Sequence, residues 1–107
     1  MTTFYALGKY TAQGFQGFCK DPKSDRAQAA RTAAEAVGAK MISYDALRGS
    51  FEFIVVFEGS FEQMAGIKLA TEASGALCDI AVCEAININE VAENAAKIAK
   101  AYKGPGK

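Results

Sequence analysis

Glu52 is the carboxylate whose setting could support chemistry. It lies in Gly49-Ser50-Phe51-Glu52-Phe53-Ile54-Val55-Val56-Phe57-Glu58, which reads as a strand with little tolerance for water. Phe51, Phe53, Val55 and Phe57 alternate onto one side of the pleat, and Ile54 and Val56 onto the other, with Glu52 and Glu58 at its ends. An acid at the start of such a strand can serve as a general base. Desolvation raises its pKa and a neighbouring lysine lowers it, and the larger effect decides. A first strand lying antiparallel beside this one brings Lys9 or Tyr10 near Glu52. Tyr5, Tyr44 and Asp45 are further polar candidates, with their register open. The bland alternative is a structural pair or a solvated acid at a strand end.

The other reactive side chains point to less. Cys19 stands near Lys20 and Lys23 in a Gly-containing segment, which modestly favours its thiolate. Cys78 and Cys83 are five apart on one expected strand, so alternation places them on opposite faces and argues against a bridge or a shared metal. The chain has no histidine, which removes Ser-His and Cys-His nucleophile pairs, imidazole metal ligands and a proximal haem ligand. No GxGxxG and no GK[ST] occurs at a fitting place. No metal and no cofactor is implied.

Charge narrows the partners. Twelve basic and twelve acidic residues balance to zero, which leaves no general footprint for nucleic acid or an anionic membrane. Arg48-Gly49, Phe51, Phe53 and Ile54 partly imitate the aromatic signature of RNA-recognition motifs, but Ser50 is inserted, Glu52 brings negative charge and Phe57 is one place off. Met1-Thr2-Thr3-Phe4 is not a basic segment followed by an apolar one, no apolar run approaches the ~20 residues of a membrane span, and three cysteines suit a reducing compartment. The expectation is a cytoplasmic protein that binds neither nucleic acid nor membrane.

The elements that must position these residues follow from periodicity and punctuation. Phe4–Tyr10 reads as a strand with a gap at Gly8. Thr11–Lys23, with Gly14, Gly17 and Pro22 around Phe15 and Phe18, reads as a packed loop or short helical turn, or else as a lid over a pocket. Ser24 is the expected cap of an alanine-rich helix to about Val37, closed by Gly38 and thin enough to sit close over the phenylalanine face. Ala39–Leu47 reads as a strand that turns through Arg48-Gly49-Ser50 into the central one. Ser60-Phe61-Glu62-Gln63 has the capping-box pattern of a helix ending at Gly75, with Met64, Ile67, Ala70 and Thr71 on one side. Leu77–Ile86 is the fourth strand. Asn87 or Asn89 caps a last helix with Val91, Ala95, Ile98 and Tyr102 at helical spacing. One domain over residues 1–103 and a flexible tail over 104–107 are expected.

This order is that of an α+β, ferredoxin-like βαββαβ fold with an added C-terminal helix, a four-stranded antiparallel sheet and helices on one face. Ile54 and Val56 then point away from the helices, with Leu7, Ile42 or Tyr44, and Ile80 or Val82 as companions. Leaving each large apolar side chain in water forgoes roughly 1.5–3 kcal/mol. A second copy packed sheet to sheet would cover them, giving a dimeric α/β barrel. Alternatively, the last helix swings across and the protein stays monomeric.

Thr11 with Gln13-Gly14-Phe15, Phe18, Lys20-Asp21-Pro22, Lys40 and Gly49-Ser50-Phe51-Glu52 before Ile54-Val55-Val56-Phe57-Glu58 resembles the GYD domain family over nearly the whole chain. The family's usual Tyr-Asp stands here as Phe51-Glu52, which removes a phenol hydroxyl. The resemblance implies a ferredoxin-like, dimeric barrel type of fold and little chemistry. The expected function is a homodimer or higher oligomer whose sheets enclose an apolar cavity edged by Glu52, Lys9, Tyr10, Tyr44, Phe15 and Phe18, binding a small molecule. A cofactor-independent enzyme of monooxygenase or isomerase type, with Glu52 catalytic, and a structural or regulatory assembly module are the alternatives.

Overall fold

The sheet is built around two strands with inward-facing aromatics. In the computed structural model, which describes residues 2–107, β1 (Thr2–Tyr10) and β3 (Phe53–Gly59) pair antiparallel at the centre. β2 (Lys40–Ala46) flanks β3 and β4 (Leu77–Glu84) flanks β1, both antiparallel, in the order β2-β3-β1-β4. That is the expected ferredoxin-like sheet. Phe4, Ala6, Phe53, Val55, Phe57, Leu77 and Ile80 fill its inner face.

Helices α1 (Ala12–Lys20), α2 (Arg26–Ala36), α3 (Phe61–Ala73) and α4 (Ile88–Ala101) complete the order β-α-α-β-β-α-β-α. Ala34 of α2 and Met64 of α3 are buried against the phenylalanine face. Alanines let α2 lie close to the sheet, as their small volume requires. The Ser60–Gln63 capping box forms in full at the start of α3. Gly38 and Gly75 take the left-handed conformation after α2 and α3, where a Cβ would be strained.

Several boundaries differ from expectation. Most of residues 11–23 is neither a loop nor a single turn, because Thr11 caps a nine-residue helix, Ala12–Lys20, by accepting a hydrogen bond from Gly14 N, and only residues 21–23 turn out of it. Asp25, not Ser24, caps α2, its carboxylate accepting from Gln28 N at 2.9 Å, while Ser24 Oγ donates to the Asp21 carbonyl. β3 starts at Phe53, and Glu52 anchors the turn before it: its N–H donates to Gly8 O and its carbonyl accepts from Leu47 N, both at 2.8 Å. The gap at Gly8 is a packing accommodation, since a Cβ there would meet the Phe53 ring and lie 2.9 Å from Ile80.

A β-bulge at Asp79, at φ 52°, shifts the register of β4 so that Leu7 faces Ala81 but Lys9 faces Cys78. The extra residue cancels the alternation from which Cys78 and Cys83 were expected on opposite faces. Opposite Lys9 and Tyr5, they share the outer face. They remain roughly 13 Å apart along the strand, and all three cysteines are free. The same shift, and a second between Met41 and Ser43, turns Ile80, Val82 and Tyr44 inward. The outer neighbours of Leu7, Ile54 and Val56 are Tyr5, Ala81 and Cys83, while Ile42 on β2 stays exposed.

α4 does not swing across that face. Every one of its residues is exposed, and the chain measures 62 Å along its longest axis against 30 and 23 Å across.

Candidate functional site

Tyr10 is the last residue of β1 and faces inward opposite Leu77. Tyr44 stands on β2 opposite Val55, with Phe53 between the two tyrosines. The Tyr10 ring centroid is 5.3 Å from that of Phe53, Tyr44 stacks on Phe53 at 6.4 Å, and the two phenol oxygens lie 2.5 Å apart.

The fold-back of α1 completes the aromatic group. Phe15 and Phe18 meet Tyr10 edge-on, at 5.9 and 5.1 Å, in the geometry that ring quadrupoles favour. Thr11 fixes the helix to the turn between α3 and β4. Its N–H donates to Ala76 O at 3.0 Å and its hydroxyl donates to Gly75 O. Gly14 is required where α1 crosses that turn, because a Cβ would run into the Ala76 carbonyl oxygen.

Behind the tyrosines, the thin alanine side of α2 leaves space over Phe53 and Val55. A hollow of about 60 Å³ lies there, between the sheet and α2–α3. An adjoining hollow of about 250 Å³ is lined by Gly14, Gly17, Phe18 and Ala76, and Tyr10, Arg26 and Leu77 border both. Glycines and alanines make this space, since larger side chains at those positions would fill it.

The polar groups at the rim differ in how far they are already engaged. Burial raises the pKa of Tyr44 above its ordinary value, and the hydrogen bond with Tyr10 raises it further, so Tyr44 stays a neutral phenol. The pair carries two protons, one of which closes the mutual hydrogen bond while the other is free to donate. Lys68 Nζ is 2.8 Å from Glu72 Oε2, and that oxygen also accepts from Ile80 N at 2.9 Å. These donors, Lys68 first, hold the Glu72 carboxyl below its usual pKa. Among the described residues, the half-buried Arg26 has neither an ion pair nor a hydrogen-bond partner, and its charge acts on Tyr44.

Of the six residues expected to edge a cavity, Tyr10, Phe15, Phe18 and Tyr44 come together. Lys9 does not join them, for it lies on the outer face, 4.0 Å from Asp79 with both side chains exposed. Glu52 is adjacent but engaged, its Oε1 accepting the Tyr10 N–H at 3.0 Å. Tyr5 and Asp45 also belong to the outer face. The cleft opens on the helix side of the sheet, whereas the cavity was expected between paired sheets. Arg26 escaped sequence reading because a basic residue in a first helical turn looks like any solvated charge.

Among the described residues no group of acidic or cysteine side chains could hold a metal ion, and no helix is long and apolar enough to cross a membrane. No curated protein matches the chain. Residues 4–95 match a family model described as GYD domain.

Proposed function

The chain belongs to the GYD domain family, and we propose that this member binds a small molecule in the cleft between its sheet and α2–α3 and works as a homo-oligomer. The observation that carries the binding reading is the Tyr10–Tyr44 hydroxyl pair at the rim of a mostly apolar hollow, with Arg26, Lys68 and Thr71 as its other polar neighbours. A few convergent polar groups over an apolar floor are how small-molecule sites combine orientation with affinity. A ligand spanning both hollows has room near the lower end of the usual range, roughly 300 Å³.

Assembly is supported by the opposite face. Tyr5, Leu7, Ile54 and Val56 form an apolar patch that no element among the described residues covers, and Tyr5 is 38% exposed. A second sheet would bury it, with the loss of freedom on association offset by roughly 25 cal/mol per Å² of apolar surface removed from water.

Native mass spectrometry of the purified protein, followed by denaturing analysis of anything that co-purifies, tests both parts. The expected result is an oligomer carrying a reproducible small mass. A bare monomer would refute the assembly, and a chain whose Tyr10 and Tyr44 signals respond to no small organic probe would refute the binding.

A further inference from the structure

We infer that the cleft takes a small organic monocarboxylate with an apolar or aromatic body, the carboxylate held by Arg26 and the Tyr10–Tyr44 hydroxyl pair. This rests on the binding reading above and names its ligand class.

Three features converge on one end of the cleft. Arg26 borders both hollows and, among the described residues, has no anionic partner. Its guanidinium presents a planar fork of donors that matches a carboxylate, with charge-assisted bonds about twice as strong as neutral ones. The phenol pair beside it has one unspent proton, and Tyr44, whose pKa burial raises, stays neutral and so does not repel an anion. Among the described residues no carboxylate lines either hollow; of those nearby, Glu52 is turned to the Tyr10 backbone and Glu72 is held by Lys68 and Ile80 N. The other cation on the rim, Lys68, is already neutralised by Glu72.

The remaining walls choose the body of the ligand. Ala30, Phe53, Val55, Ile67 and Ile80 offer no hydrogen bonds in the inner hollow, and the Thr71 hydroxyl there already donates to the Ile67 carbonyl, so a polar group placed there would lose most of its water uncompensated. A ring or short branched chain gains from burial instead. Phosphate esters and dicarboxylates fit worse, because their second charge would have to be met by groups the apolar walls do not provide.

The test is a comparison of phenylacetate with its neutral amide, phenylacetamide, on wild type and Arg26→Gln. Binding is read from ¹H–¹⁵N shifts around Tyr10 and Tyr44, with circular dichroism confirming that the variant is folded. Expected is at least about 10-fold tighter binding of the carboxylate by wild type, with Arg26→Gln holding both probes alike. Equal affinity of the two probes for wild type would overturn the anion assignment while leaving the cleft as a small-molecule site. Failure of both probes to bind wild type would overturn the site as well. Carboxylate selectivity that survives in Arg26→Gln would take Arg26 out of the site.

Discussion

Gly14 and Gly17 sit three residues apart in α1, and alanine at the two positions is predicted to act with opposite sign. A glycine inside a helix costs about 1 kcal/mol relative to alanine. At Gly17 an added Cβ meets nothing within 4 Å, so Gly17→Ala should stabilise by about 0.5–1 kcal/mol. At Gly14 the same atom would overlap the Ala76 carbonyl oxygen, which is backbone and cannot rotate away. Relief requires α1 to lift from the turn that Thr11 grips through its hydrogen bonds to Gly75 and Ala76. Overpacking costs roughly 1–3 kcal/mol and each weakened hydrogen bond roughly 0.5–1.5 kcal/mol. Against about 1 kcal/mol of helix propensity, the net for Gly14→Ala is a loss of roughly 1–5 kcal/mol. Urea denaturation at one protein concentration, followed by far-ultraviolet circular dichroism, measures both, with the slope against urea expected to hold. In thermal melts each kcal/mol corresponds to about 4 °C in a domain of this size. Gly14→Ala should also weaken the contacts of Phe15 and Phe18 with Tyr10. If Gly14→Ala is as stable as Gly17→Ala, the docking of α1 described above is wrong.

Tyr44→Phe removes the hydroxyl bonded to Tyr10 and should cost about 1 kcal/mol. Because the folded state raises the Tyr44 pKa, the associated stability is complete below the unfolded value near 10 and is lost as pH rises above it. Stability between pH 9 and 11 should therefore fall less steeply in Tyr44→Phe than in wild type, and parallel curves would contradict the burial assigned to this phenol. Glu52→Ala takes the acceptor from the Tyr10 N–H and should cost about 1–2 kcal/mol and speed exchange of that amide, whereas Glu52→Gln keeps an acceptor oxygen and should stay near wild type; unchanged exchange in Glu52→Ala would remove the anchoring role. If the chain assembles through its outer apolar patch as proposed, Val56→Lys places an unpaired cation there and should dissociate that oligomer, because a buried charge without a partner is costly; light scattering that gives the same mass as wild type would refute the proposed interface.

Elements whose cause is local were legible in the amino-acid order. The Ser60–Gln63 capping box, the glycine stops after α2 and α3, and the alternation of Phe53, Val55 and Phe57 each depend on neighbours a few residues away. Together they determined the ferredoxin-like order of strands and the face that α2 and α3 cover. The pairing of Glu52 with Lys9 or Tyr10 across the sheet was only partly legible. Alternation placed Lys9 and Tyr10 on opposite faces but left open which of them meets the cleft.

What tertiary structure alone decided is the set of contacts that depend on register and close approach. One extra residue at Asp79 reverses the facing of everything beyond it along β4, so Cys78 and Cys83 share a face, while the outer patch gains Ala81 and Cys83 in place of Ile80 and Val82. α1 looked like a loop because two glycines lower helix propensity, yet Gly14 is what lets the helix lie against the Ala76 carbonyl. Tyr10, Tyr44, Phe18 and Arg26 belong to four different elements, and no spacing along the chain foretells that they border one cleft. Local sequence determines each element because its energetics are short-range. The cleft is decided by packing, where a bulge or a missing methyl group redirects side chains distant in sequence.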